Sequence, residues 1–132
     1  MAADESGTVA IIDDDPAVLD SLRFLLEVSG HLVATYRSAA EFLAKGDRGA
    51  ACMIVDQHMP QMSGLELIAR LDGTAPRRNI MLITGSLSPA ISERAAALGV
   101  ALVMEKPPGS NELLDFVNAC KAARQGTIAA HL

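Results

Sequence analysis

A parallel α/β sheet flanked by helices is the fold class this sequence predicts, and three observations carry the prediction. Short β-branched or aliphatic runs occur at Val9 to Ile12, Cys52 to Val55, Ile80 to Ile83 and Ala101 to Met104, and runs of this kind read as strands covered on both faces. Stretches with helical spacing separate them, so right-handed crossovers would bring every carboxyl end to the same edge of the sheet. A polar point follows each run: the cluster Asp13, Asp14 and Asp15, then Asp56, Thr84 and Lys106. Open α/β sheets place their chemistry at that edge.

Strand one covers Thr8 to Asp13. A helix follows from about Pro16 to Ser29, with Asp15 as cap and Pro16 in the first helical position. Val18, Leu22, Leu25 and Leu26 recur on its inner face, while Asp20, Arg23 and Glu27 supply the wetter side; Gly30 ends it. Leu32 to Tyr36 is a short second strand. Ser38 with Glu41 three residues later is a capping-box signature, opening a helix through Ala44 that turns Phe42 and Leu43 inward. Gly46 to Gly49 breaks the chain before strand three.

After Asp56 the segment from Gln57 to Gly64 is rich in turn-formers, and Pro60 keeps it out of the helix that follows. That helix carries Leu65, Leu67, Ile68 and Leu71. Gly73 to Arg78 leads to strand four, and Thr84, Gly85 and Ser86 open a polar loop. The helix from Pro89 through Leu98, stopped by Gly99, is rich in alanine at Ala90, Ala95, Ala96 and Ala97. Its propensity is high and its side-chain anchorage modest. The final strand ends near Glu105, and Asn111 caps a last helix running to about Ala123. The expected boundaries are a flexible N-terminus at 1–7, a folded domain at 8–124, and a tail or linker stub at 125–132.

Chain length of 132 residues fits one domain with a substantial core, burying roughly two-thirds of the surface of the unfolded chain. Half the residues are apolar and the formal net charge is -5, with no long basic block. That argues against nucleic-acid binding by this domain, because phosphate contacts need a positive footprint. Lys45, Lys121 and Arg124 read as solvated charges at helix ends, and Arg77 with Arg78 as a loop pair. Cys52 and Cys120 read as small buried or half-buried side chains, neither a disulfide framework nor a metal site. No apolar run approaches the roughly 20 residues of a membrane span, and no targeting segment opens the chain. The expected setting is cytoplasmic and reducing.

Adjacent carboxylates with a third across a loop make an oxygen-rich site suited to Mg²⁺. Asp14 and Asp56 are the expected direct ligands, with Asp13 in support. Neighbours on an extended strand point to opposite faces, so Asp13 and Asp14 can share an ion only where the chain is already turning. His58 has no second His or Cys partner that would make a zinc site, and its backbone carbonyl suits Mg²⁺ better than its ring. Asp56 also fits a nucleophile that accepts a phosphoryl group as an acyl phosphate. Lys106 would then neutralise phosphoryl oxygens and Thr84 would donate to another. A cis Lys106 to Pro107 peptide would help aim the side chain; the sequence leaves the isomer open.

The stretches IIDDD from Ile11 to Asp15, VDQHMPQMSG from Val55 to Gly64, Thr84 with Gly85, and EKPP from Glu105 to Pro108 resemble the response regulator receiver domains of two-component signalling, the CheY-like superfamily. The likeness spans nearly the whole chain. It leans toward receivers that carry a helix-turn-helix output domain. It implies a flavodoxin-like fold: a five-stranded parallel sheet in order 2-1-3-4-5 with five helices, and Val9, Ile11, Ile54, Val55, Leu82 and Ile83 in its core. Asp56 would be the phosphoacceptor, Asp13 and Asp14 the acidic pocket, Thr84 the hydroxyl switch and Lys106 the phosphate contact. A sensor histidine kinase or phosphotransfer protein would be the partner, and the last two helices with the last strand would form the output face, suited to a homodimer. The domain would be a regulatory phosphoacceptor rather than an enzyme.

Two departures fall on that face. Val103 stands where receivers usually carry Phe or Tyr, so the ring that rotates on activation is missing. Pro108 stands where an apolar or aromatic residue commonly follows Lys-Pro. Three other readings compete: a small Mg²⁺ phosphohydrolase of the HAD-like type with Asp56 as nucleophile, a protein-interaction module with a vestigial pocket, and a flavin carrier. The first wants a second acid two residues after the nucleophile, where this chain has His58. The retained Asp56, Thr84 and Lys106 count against the second, and the acidic loop after strand one counts against the third.

Overall fold

Alternation of apolar strand residues decides the architecture, because consecutive side chains of a strand leave on opposite faces. The computed structural model describes residues 7–46, 49–71 and 79–130, with side chains through Ala123. Expectations for the N-terminal segment, for Asp47 and Arg48, and for the loop from Gly73 to Arg78 lie outside the described residues. The elements are β1 (Thr8–Ile12), α1 (Pro16–Val28), β2 (Leu32–Tyr36), α2 (Ala39–Lys45), β3 (Cys52–Asp56), α3 (Gly64–Arg70), β4 (Ile80–Thr84), α4 (Pro89–Ala97), β5 (Leu102–Glu105) and α5 (Ser110–Ala130). The strands form one parallel sheet in order β2-β1-β3-β4-β5.

Ala10, Ile12, Met53, Val55, Ile80 and Leu82 point to one face, where they meet Phe42 of α2, Leu67 and Ile68 of α3 and Ala95 of α4. Val9, Ile11, Cys52, Ile54, Met81 and Ile83 point to the other, against Leu19, Leu22 and Leu26 of α1 and Leu113, Phe116 and Val117 of α5. Period-two strands feeding two separate helical layers produce a doubly wound sheet with two cores. All six residues expected in the core are fully buried.

Helix ends follow local chemistry. Asp15 caps α1 by accepting from the Ala17 N–H, and Pro16 takes the first position. Gly30 and Gly99 leave α1 and α4 with φ of 93° and 79°, the left-handed exit that glycine makes without a Cβ penalty. Ser38 caps α2 by accepting from Glu41 N, but the Glu41 carboxylate accepts from Arg37 N, so this box does not close on itself. The reciprocal box is at α3, where Ser63 accepts from Glu66 N and Glu66 accepts from Ser63 N.

Four expectations are corrected. β5 is not covered on both faces: it is an edge strand paired only with β4, and Leu102 is 37% exposed. The helix expected to end near Ala123 continues to Ala130; no proline interrupts it, and Ala, Arg and Gln favour helix. It begins at Ser110, so Asn111 lies inside the first turn rather than at the cap. Lys121 is not a solvated charge but 8% exposed, because Leu113, Val117 and Lys121 recur every four residues on the inward stripe of α5. Among the described residues, no helix is long and apolar enough to cross a membrane.

Candidate functional site

The strands end where the carboxylates begin. β1 stops at Ile12, and the chain bends at Asp14. Asp13 N donates to Tyr36 O (3.0 Å), while its Oδ1 accepts from Asp15 N (2.9 Å). The turn brings the neighbouring side chains together, so that Asp13, Asp14 and Asp56 each place an oxygen within 4.8 Å of the others. Asp13 and Asp56 are buried and Asp14 is exposed.

Asp56 closes β3. Its Oδ1 lies 3.3 Å from Lys106 Nζ and accepts weakly from His58 N at 3.4 Å. Burial first, and then the negative charge of Asp13, push its carboxyl up to about 6, against the opposing pull of Lys106 and the His58 amide. Lys106 Nζ also lies 3.0 Å from Asp13 Oδ2. Burial works against its ammonium, but the negative charges of Asp13 and Asp56 beside it prevail and hold it above the usual lysine value. The Lys106–Pro107 peptide is cis.

Asp13 Oδ2 receives no hydrogen bond although it is buried; its contact with Lys106 is a charge pair without hydrogen-bond alignment. A buried carboxylate oxygen left so is costly. Together with the raised Asp56 carboxyl and three convergent carboxylates, it marks a place where a hard divalent cation fits.

The loop after Asp56 is fastened at both ends. Gln57 N donates to Ile83 O (2.8 Å), Gly64 N donates to Gln57 O (3.0 Å), and the Gln57 side chain accepts from Leu65 N (2.9 Å). Gln61 takes a positive φ of 71° in between. Gly64 sits so close to β3 that an added Cβ would lie 2.5 Å from the Asp56 carbonyl oxygen and 2.9 Å from Leu82 Cδ1. The first turn of α3 is thereby seated on the backbone of Asp56.

Thr84 ends β4, fully buried. Its Oγ1 is 3.0 Å from His58 Nε2, donates to Ser86 O (3.3 Å) and accepts from Ser86 N (3.2 Å). Its carbonyl accepts from Lys106 N (2.8 Å), which ties the hydroxyl and ammonium positions through one backbone bond. Every expected residue thus reaches the same rim. The His58 ring contact with Thr84 spans 26 residues and has no local signal in the sequence. Val103 is half-buried, packed beside the α2–α4 core. Tyr36 does not stand in for a missing ring, since it packs edge-on against Phe42 at 5.1 Å. Lys106 and Pro108 border an open groove of about 510 Å³ against Val18, Ser21 and Leu25 of α1, beside the carboxylates rather than over them.

The sequence matches the response regulator receiver domain over residues 9–118. It is 40% identical over 127 residues to the transcriptional regulatory protein FixJ of Azorhizobium caulinodans, covering 92% of this chain and 59% of that protein. It is 33% identical over 118 residues to the response regulator protein TodT of Pseudomonas putida, covering 89% and 52%. The chain therefore spans little more than half the length of these relatives. The crystal structure of a receiver domain protein (CheY-like) from Methanospirillum hungatei JF-1 superposes with a TM-score of 0.83 at 27% identity, covering 92% of this chain and 98% of that one. Fold and sequence lead to the same place, and the chain belongs to the response regulator receiver domains of two-component systems.

Proposed function

We propose that this domain accepts a phosphoryl group on Asp56 from a histidine kinase or phosphotransfer protein, with Mg²⁺ bound. The observation that carries the reading is the buried Asp56 carboxylate set between the Asp13 carboxylate and the Lys106 ammonium. The Asp56 oxygen attacks phosphorus, the phosphorus–nitrogen bond of the donor phosphohistidine breaks, and the imidazole leaves. Lys106 pairs with the phosphoryl oxygens that arrive. Thr84 gives up its present partners to donate to another oxygen. Asp14, Asp56 and the His58 carbonyl, supported by Asp13, would hold Mg²⁺, which supplies the positive charge that lets an anionic donor approach this cluster.

Intact mass after incubation with Mg²⁺ and a small phosphoryl donor tests the assignment. One phosphoryl group is expected on the native chain and none on Asp56→Asn; modification of that variant would sink it. Lys106→Ala should retain most Mg²⁺ affinity while losing much of the phosphorylated population, because the ammonium pairs with the added oxygens and need not touch the ion. Equal loss of both would count against this division of roles.

Family membership favours this reading over a phosphohydrolase, and His58 supports the choice: it occupies the position of a second acid with its ring engaged by Thr84. Self-catalysed phosphoryl transfer and hydrolysis, without turnover of a separate substrate, belong to the same proposal. So do a cytoplasmic location, the absence of nucleic-acid binding by this domain, and a homodimer through α4, β5 and α5. The likeness to transcriptional regulatory proteins supports an output role in transcription for the whole protein.

A further inference from the structure

The rim opposite the carboxylates holds the starts of the strands, and there a hydrogen bond joins the end of α1 to α5. His31 lies between α1 and β2, half-buried. Its backbone N–H donates to Leu26 O (3.0 Å), and Gly30 N donates to Glu27 O (3.0 Å), so the helix exit fixes where the ring stands. Lys121, 8% exposed on the inward stripe of α5, brings its Nζ to 2.9 Å from His31 Nδ1. An ammonium only donates, so Nδ1 accepts and the ring proton is on Nε2. Among the described residues no carboxylate pairs with Lys121, which leaves the imidazole to satisfy a shielded charge.

We propose that this contact is an acid-released latch: protonation of His31 frees the last turns of α5 from the end of α1. A proton on Nδ1 removes the acceptor and sets an imidazolium against an ammonium at 2.9 Å. Like charges so close in a shielded place must separate. Whichever side chain turns outward, the bond between the two helices is lost. The other groups around the ring do not replace it. On α1, Glu27 is engaged by Arg23 at 3.1 Å. On α5, Glu112 and Asp115 lie in earlier, exposed turns, and Asn118 and the Cys120 thiol carry no charge. β3 offers the Cys52 thiol. β1 and β2 bring no titratable side chain except Tyr36, at the far end of β2.

Burial first, and then the Lys121 charge, hold the ring below the ordinary 6.5, against the Asn118 side chain. Burial likewise holds Lys121 below the usual lysine value, against the pull of Cys52. As pH falls the unfolded chain therefore takes up the proton first. The contribution of the latch to stability is complete above 6.5 and is lost as pH drops through the lower, folded value. Asp56 contributes with the opposite sign in acid, so the latch is read locally, at α5 and at the ring. It does not depend on phosphorylation; where α5 serves output as proposed above, acidity would reach the same face from the other rim.

Hydrogen exchange of the full chain by mass spectrometry, at about pH 7.5 and about pH 5.5 and corrected for the intrinsic chemical rate, tests the latch. Relative to a β3 peptide, exchange of the α5 amides from Val117 to Ala123 should rise in acid by up to about tenfold, the limit for a group whose ordinary value is one unit above the lower pH. His31→Gln keeps an acceptor that cannot titrate and should show no acid step. Long-range proton–nitrogen spectra, with His31→Gln identifying the resonance, should show the Nε2–H tautomer at neutral pH and a midpoint below 6.5. Lys121→Met should raise that midpoint. Exchange in α5 that ignores acid, an equal acid step in His31→Gln, a neutral ring protonated on Nδ1, or a midpoint unmoved by Lys121→Met would overturn the proposal.

Discussion

Asp56 occupies a position where ionisation is opposed by its surroundings, and that opposition has a measurable sign. The unfolded carboxyl titrates near 3.8 and the folded one near about 6, so between those values the folded chain binds more protons. Without metal, the contribution of Asp56 to native stability is therefore greatest below the lower value and is lost as pH rises through the upper one. Asp56→Asn should be more stable than the metal-free native chain at neutral pH by about 1–3 kcal/mol, with the gap closing in acid. Urea melts at both ends of the range check this; equal stability at neutral pH would mean that the carboxylate is better compensated than its neighbours indicate. His58 offers a second single-residue test. His58→Ala keeps the backbone carbonyl and should keep Mg²⁺ affinity, while Thr84 loses one hydroxyl partner worth about 1 kcal/mol. The ratio of phosphorylated to unphosphorylated chain at fixed donor should rise about fivefold. A loss of Mg²⁺ binding by calorimetry would instead make the ring a ligand.

α3 is an element that cannot stand alone: seven residues are too few for a stable isolated helix, and its position depends on its first turn. Gly64→Ala would drive a methyl into the Asp56 carbonyl oxygen at 2.5 Å, where the obstacle is backbone and cannot swing away. The expected loss is about 2–4 kcal/mol by thermal melt. Gly85→Ala is the matched control, since nothing lies within 4 Å of its added Cβ, and an equal loss there would refute the crowding argument. Elements of this kind were legible in the sequence because caps and period are local. Asp15 with Pro16, the run of β3 and the stop at Gly99 all stand as read. Edge status was not legible: β5 opens on an apolar run much as β4 does, and only strand order exposes Leu102. The Ser-x-x-Glu signature also occurs twice, at Ser38 and Ser63, and the closing partner of the first was decided by backbone geometry around Arg37. The rim site itself was readable from Asp13, Asp14, Asp56, Thr84 and Lys106. The His58–Thr84 and His31–Lys121 contacts were not, because each needs a tertiary approach of elements distant in the chain.

Across the whole molecule, the rim chemistry must reach a surface through β4, and α4 is the element next in line. Movement of Thr84 toward a phosphorylated Asp56 should shift Gly85 to Ser88 and tilt α4, with no aromatic rotation because position 103 is valine. The two arrangements should differ by about 1–2 kcal/mol. Amide chemical shifts with and without a phosphoryl mimic should therefore change in α4 and β5 as well as around Asp56. Silence in α4 would show an uncoupled output face and favour a vestigial pocket. α4 buries only Ala95 completely, with Ile91 and Leu98 half-buried against the core. Most of its surface, including Ala90, Ser92, Glu93, Arg94, Ala96 and Ala97, faces solvent. Folding therefore places almost no constraint on the identity of those six positions, and a lineage can rewrite them without passing through unfolded intermediates. Under the proposed output role of α4, partner preference is free to change at these positions without cost to the fold. A saturation library at the six positions, with proline and glycine omitted, should retain native melting behaviour in most members.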